Sequence, residues 1–174
     1  MQVSAVDISR AYFNASTEGH PPTYVQLPPE HDDHHRGMCG FLLKHMYGTQ
    51  AAADGWQQEY AGCMREIGFT QGAASPCVFV HAERNLATSV HGDDFTTCGA
   101  KCDLDWFEDV LEGRYELKKG GRSGPGPDDC KELTVLNRVW RWTDDGLEYE
   151  ADPRQCERLL EGLGLDSGCK GTAT

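Results

Sequence analysis

The chain has 174 residues, a length that suits one domain of ordinary size, or a piece of a larger one, with enough residues to bury a core. It carries 16 Lys and Arg against 28 Asp and Glu, a formal net charge of −12. That balance argues against this chain alone gripping a nucleic-acid backbone, because phosphate is held by Lys and Arg.

Val3 to Ile8 is a short apolar run containing Asp7, followed by Ser9-Arg10-Ala11-Tyr12-Phe13-Asn14. The pattern predicts a buried strand ending near Asp7, then a turn or short helix. A carboxylate at the end of such a strand needs a partner, since desolvating it alone is costly; the ordinary alternative is that Asp7 caps the next helix. Thr17 to Gly40 is polar and Pro-rich, with a short strand expected at Tyr24 to Leu27. Its tract Glu30-His31-Asp32-Asp33-His34-His35 has metal-binding residue types, but no second ligand group stands at a fixed offset, so a solvated loop is expected.

Gly48 ends the apolar run from Phe41 to Tyr47. Ala52, Trp56, Tyr60, Cys63, Met64 and Ile67 then recur at helical spacing, and Gly68 stops them. Cys77 to His81 is strand-like, and Ala82 to Asn85 turns it into a second strand, Leu86 to Val90. Beyond His91-Gly92-Asp93-Asp94, strand character resumes at Phe95 to Cys98. Two adjacent carboxylates at a hairpin tip are costly to hold together unless a cation neutralises them; the ordinary alternative is a solvated Gly-Asp turn.

Asp103 to Glu112 reads as a second amphipathic helix, Lys118 to Asp129 as a flexible Gly- and Pro-rich loop, and Leu133 to Trp142 as one strand. Thr143-Asp144-Asp145-Gly146 is a hairpin turn into Leu147 to Glu150. A last helix is signalled by Asp152 as cap, Pro153 at its first position, and a stripe of Cys156, Leu159, Leu160 and Leu163. The sequence has no run of 18 apolar residues, and its N-terminus lacks a basic region followed by an apolar core, so neither a membrane span nor a signal peptide is expected. Eight cysteines without a Cys-x-x-Cys pair favour reduced thiols over a zinc knuckle, hence an intracellular chain, cytoplasmic or nuclear.

Several segments, in order, resemble copia-type retrotransposon reverse transcriptases. Val6-Asp7-Ile8-Ser9-Arg10-Ala11-Tyr12-Phe13-Asn14 looks like that family's first catalytic motif, typically Asp-Val-Lys-Thr-Ala-Phe-Leu-Asn. Tyr24-Val25-Gln26-Leu27-Pro28 is similar to its Tyr-Met-Glu-Gln-Pro segment. Leu43 to Trp56 follows in outline its Leu-x-Lys-Ser-Leu-Tyr-Gly-Leu-Lys-Gln-Ala-Pro-Arg-x-Trp block. Ile67-Gly68-Phe69 and Ser75-Pro76-Cys77-Val78-Phe79-Val80 resemble its Leu-Gly-Phe and Asp-Pro-Cys-Val-Tyr stretches, and His91-Gly92-Asp93-Asp94 stands where it has Tyr-Val-Asp-Asp. The departures are His91-Gly92 for Tyr-Val, Ser9-Arg10 for Lys-Thr, and Ala53-Asp54 for Pro-Arg.

The resemblance implies an α+β polymerase palm over residues 1–165, an antiparallel sheet with helices on one face, as part of a polymerase hand, and an unstructured tail over 166–174. It implies an RNA-directed DNA polymerase that transfers a nucleotide from a dNTP to a primer 3′-hydroxyl with two Mg²⁺, or Mn²⁺ in their place. Asp7 and Asp93 would be metal ligands and Asp94 a ligand or neighbour. Tyr12 would gate against the ribose 2′-hydroxyl, with plain core packing as the alternative. Tyr47 and Gly48 would lie against template or incoming nucleotide. The implied partners are an RNA or DNA template-primer and the fingers, connection, RNase H and integrase parts of a polyprotein, with no membrane; the fingers segment is expected before Met1. Two other classes stand beside this one: a retroelement fragment that folds without catalysing, and an unrelated metallohydrolase built on His31 to His35.

Overall fold

The computed structural model describes residues 1–150 and 153–165. Backbone contacts separate the chain into two compact units, Met1–Gly120 and Gly121–Thr174. The first holds β1 (Gln2–Ile8), a 3₁₀ turn at Ala11–Asn14, β2 (Tyr24–Gln26), a second 3₁₀ turn at His34–Arg36 and β3 (Cys39–Phe41). It continues with α1 (Ala52–Glu66), β4 (Thr70–Gln71), β5 (Val78–His81), β6 (Leu86–His91), β7 (Asp94–Gly99) and α2 (Lys101–Glu112). β8 (Leu117–Ser123) closes it and crosses the division. The second unit holds β9 (Glu132–Val135), β10 (Arg138–Thr143), β11 (Gly146–Tyr149) and α3 (Pro153–Gly162). The fold is mixed α+β, with antiparallel sheets and, among the described residues, three α-helices.

The main sheet has the order β4-β5-β6-β7-β1-β8, and β2 and β3 form a separate ribbon. Its pairings from β4 through β7 to β1 are antiparallel. One face is apolar because the strands alternate: Leu86, Thr88 and Val90 of β6 are buried, while Ala87, Ser89 and His91 are exposed. Phe95, Thr97 and Gly99 of β7 continue the buried face, and the register sets Val6 opposite Phe95 and Ser4 opposite Thr97. α1 covers it with Trp56, Tyr60 and Met64, and α2 with Leu104, Phe107 and Leu111. Each such side chain, fully buried, contributes about 1.5–3 kcal/mol. Two polar pairs lie within this core: the Thr88 and Thr97 hydroxyls are 3.0 Å apart, and Ser4 Oγ donates to Glu108 Oε1 at 2.6 Å.

Two sequence expectations are corrected. The stretch from Lys118 is not all loop, because Leu117–Ser123 pairs with β1 as an edge strand. Glycine weakens strand propensity, but here it admits close approach: a Cβ on Gly120 would stand 3.1 Å from the Ala5 carbonyl oxygen. Leu133 to Trp142 is not one strand but the hairpin β9–β10, reversed at Leu136-Asn137, both with positive φ. Asn tolerates that conformation and Leu adopts it at a cost, and Leu-Asn is not the Asn-Gly signature of such a turn.

In the second unit, β11, β10 and β9 form a three-stranded antiparallel sheet, and Asp144-Asp145 make the two-residue loop expected between β10 and β11. Leu159, Leu160 and Leu163 of the last helical stretch are exposed. The expected cap Asp152 and the tail 166–174 lie outside the described residues.

Candidate functional site

The sheet's period places Asp7 and Asp94 together. They are direct partners across the β1–β7 pair, and Val6 and Phe95, the preceding and following neighbours, point into the helix-covered core. Asp7 and Asp94 therefore share the opposite face, away from α1 and α2. Asp93 belongs to the two-residue loop between His91 and Asp94, where Gly92 alone has positive φ, +65°, as a type II′ hairpin requires at its first central residue. Two hydrogen bonds hold this turn. The Ile8 amide donates to the Asp93 carbonyl at 2.9 Å, and the Trp56 indole donates to the Gly92 carbonyl at 2.8 Å.

Both hairpin acids are half-buried. Burial raises the Asp94 carboxyl above the usual range, the carboxylates of Asp93 and Asp7 raise it further, and His91 opposes them. Asp7 meets Lys118 of β8, whose Nζ donates to Oδ1 at 3.1 Å. With the two side chains 73% and 34% exposed, this is a solvent-screened pair of small energetic worth. Asp7 caps nothing: the cap position of the following 3₁₀ turn is Arg10, left-handed at φ 54°, ψ 42°, and ion-paired to Glu116.

Tyr12 packs against the core and also meets Tyr47, with ring centroids 4.3 Å apart. Tyr47 sits in the turn Met46 to Thr49, closed by the Thr49 amide donating to the Met46 carbonyl at 3.1 Å. Gly48 supplies the positive φ, +85°, that a type II turn needs at its third residue. Burial pushes the Tyr47 phenol up, and Asp93, Tyr12 and Asp7 push it further, so the ring lies within electrostatic reach of the acids. On its other side Tyr47 and Gly48 line a cleft of about 810 Å³ with His20, Tyr24, Thr49 and Asp54. Asp7, Asp93 and Asp94 lie outside that lining. The structure thus gathers Asp7, Asp93, Asp94, Tyr12 and Tyr47 into one neighbourhood, with Gly48 shaping its rim.

Three contributors were missed by sequence reasoning. Lys118, placed within an expected loop, partners Asp7. Trp56, counted in the helical stripe, also donates its indole N–H to Gly92, since an indole in a core needs an acceptor. His45, within the apolar run from Phe41 to Tyr47, is only 3% exposed.

The acids are hard oxygen donors, and the upward shift of Asp94 beside two like charges is the strain a divalent cation relieves, so the donor set suits Mg²⁺ in kind. As the side chains stand, no group of three His, Cys, Asp or Glu among the described residues is placed to hold a metal ion. His31 and His35 are exposed and His34 is half-buried, its Nδ1 2.6 Å from the Leu27 carbonyl oxygen. No known protein-family model matches the chain, and no curated protein matches it. Among the described residues, no helix is long and apolar enough to cross a membrane.

Proposed function

We propose that the chain is the palm of an RNA-directed DNA polymerase of the copia type it resembles. The observation that supports this most is the pairing of Asp7 with Asp94 on the face away from α1 and α2, with Asp93 in the adjoining turn. Asp7 and Asp93 would hold two Mg²⁺, or Mn²⁺, with Asp94 beside them. Bound there, such ions acidify a primer 3′-hydroxyl and stabilise charge developing at the α-phosphate. The protein's own part is positional. The Gly92-Asp93 turn is held between β1 and α1, and the Tyr12–Tyr47 pair offers an aromatic surface for a sugar or base beside the acids. A template-primer and dNTP are the partners of this reading. At −12, the chain depends on other segments of a polyprotein for its attraction to phosphate.

A second reading, a folded relative that does not catalyse, is favoured by the Lys118–Asp7 ion pair and by His91-Gly92 before the acids. Mn²⁺ titration followed by electron paramagnetic resonance, with primer extension on an RNA template, separates the two. The polymerase reading expects Mn²⁺ binding by this chain, and extension once it is joined to the polyprotein segments it depends on, both lost in Asp93→Asn with the fold intact. An unmodified chain that does not bind Mn²⁺, together with a joined form that does not extend a primer, refutes it in favour of the second.

A further inference from the structure

The helix α1 has a glycine in its interior, Gly55, where alanine would be more favourable by about 1 kcal/mol. The reason is spatial: a Cβ there would overlap the His45 ring at Cδ2 and Nε2. His45 is buried and its Nε2 has no hydrogen-bond partner. Nε2 therefore faces the helix surface at Gly55 without an acceptor or donor of its own. The His45 amide also donates to the Ala15 carbonyl at 3.0 Å, so ring and backbone together fix this residue between α1 and the segment after the first 3₁₀ turn. The next residues are Met46 and Tyr47.

We infer that His45, seated in the slot left by Gly55, is the positioning residue for Tyr47, and that its protonation releases the Tyr47 turn from α1. The adjacent residue, Trp56, holds the Gly92 carbonyl. Consecutive residues of one helix therefore seat the aromatic turn and the acidic turn. A proton on Nε2 would need an acceptor that the Gly55 surface does not offer, at a cost typical of an unsatisfied buried donor. The groups around the ring are the following. His20, from the segment before β2, meets it edge-on with centroids 4.7 Å apart, and α1 presents Gly55. Asp54, next in the helix, lines the clefts that His20 also lines. Burial first, and His20 second, hold the His45 imidazole below its ordinary range; the Ser16 contact opposes them.

The seating of His45 against Gly55 and His20 stands on these contacts, its hold on Tyr47, two residues on, is the inference, and the value to catalysis rests on the polymerase reading. The test is nuclear magnetic resonance on the whole chain, following His45 ring nitrogens and the Tyr12–Tyr47 ring contact from about pH 7.5 to about pH 5. The expected result is a neutral ring at the upper end and loss of the contact on acidification. His45→Gln, which does not titrate, should lose that acid response. Gly55→Ala should lose the Tyr12–Tyr47 contact at neutral pH and lower Tm, and adding His45→Ala should recover Tm by relieving the overlap. If Gly55→Ala does not fold, the pH series on the unmodified chain decides. A Tyr12–Tyr47 contact unchanged across the pH range, or an acid response that persists in His45→Gln, overturns the inference. Failure of primer extension with these results intact counts against the polymerase reading alone.

Discussion

Trp56→Phe probes how the acidic turn is held. Trp56 is 1% exposed and its indole N–H donates to Gly92 O at 2.8 Å. Phenylalanine keeps the ring in the core but removes that donor. Gly92 is exposed, so its freed carbonyl regains water, and the loss is a net hydrogen bond of about 1 kcal/mol rather than a full desolvation penalty. The smaller ring leaves a partial cavity that costs about 1 kcal/mol more. Together these give about 2 kcal/mol, or a fall in Tm of about 4–8 °C for a chain of this size. The local effect is the sharper test. The Ile8 amide donates to Asp93 O, so its hydrogen exchange reports the turn directly. Its protection should fall about five-fold beyond the global change, as 1 kcal/mol dictates. Trp106→Phe is the control, because that indole stacks under Arg84 at 3.8 Å, away from the turn. If Ile8 exchange in Trp56→Phe follows only global stability, as in the control, the turn is not held by the indole.

Ser4→Ala leaves the buried Glu108 carboxylate without its short donor and should destabilise by about 1–3 kcal/mol, measured by denaturant titration; no change would mean that Lys119, 3.7 Å away, suffices. Gly99→Ala places a Cβ into Leu86 and should cost about 1–3 kcal/mol, with part recovered when Leu86→Val is added. Asp94→Asn should be more stable than the parent at neutral pH by about 0.5 kcal/mol, the scale of a solvent-screened charge pair. The folded-state carboxyl is raised, so its ionisation costs stability as pH rises through that value, and the difference between the two proteins should vanish at low pH. A variant less stable than the parent at neutral pH would refute the like-charge account.

The parts legible in the sequence were those set by period and punctuation. The alternation of Leu86 to Val90, the stripe from Ala52 to Ile67, and Gly48 and Gly92 at their turns each announce a local structure that packing then kept. The parts that were not legible depend on tertiary pairing. Leu117–Ser123 is a strand because β1 offers an edge, although Gly120-Gly121 read as loop. Leu136 turns left-handed because the β9–β10 register demands it, against the preference of its side chain. At the site, the acids could be picked out as a pair of turn carboxylates and one strand-end carboxylate. That Asp7 would lie opposite Asp94 required the register, and the slot for His45 required the helix to be in place.

The remaining question at the site is which charges are already answered within the chain. Lys118 answers Asp7, Lys119 answers Glu112 at 2.7 Å, Arg114 answers Glu59 and Glu66, and Arg84 answers Asp103. These pairs use the cations to settle the chain's own acids, which leaves little basic surface to attract a polyanion and agrees with a net charge of −12. Asp94 is different. Its carboxyl is raised by burial and by Asp93 and Asp7, so the one neighbour that opposes the shift, His91, does not compensate it. Under the polymerase reading, a cation would gain most beside Asp94, and least among the surface pairs already closed by Lys and Arg. The same reasoning makes Lys118 a competitor: at 3.1 Å from Asp7 it lowers the attraction for a second cation, and being largely exposed it gives way at modest cost. Under the polymerase reading, cation binding at these acids would thus begin from an Asp7 loosely paired with Lys118 and an Asp94 whose carboxyl is raised.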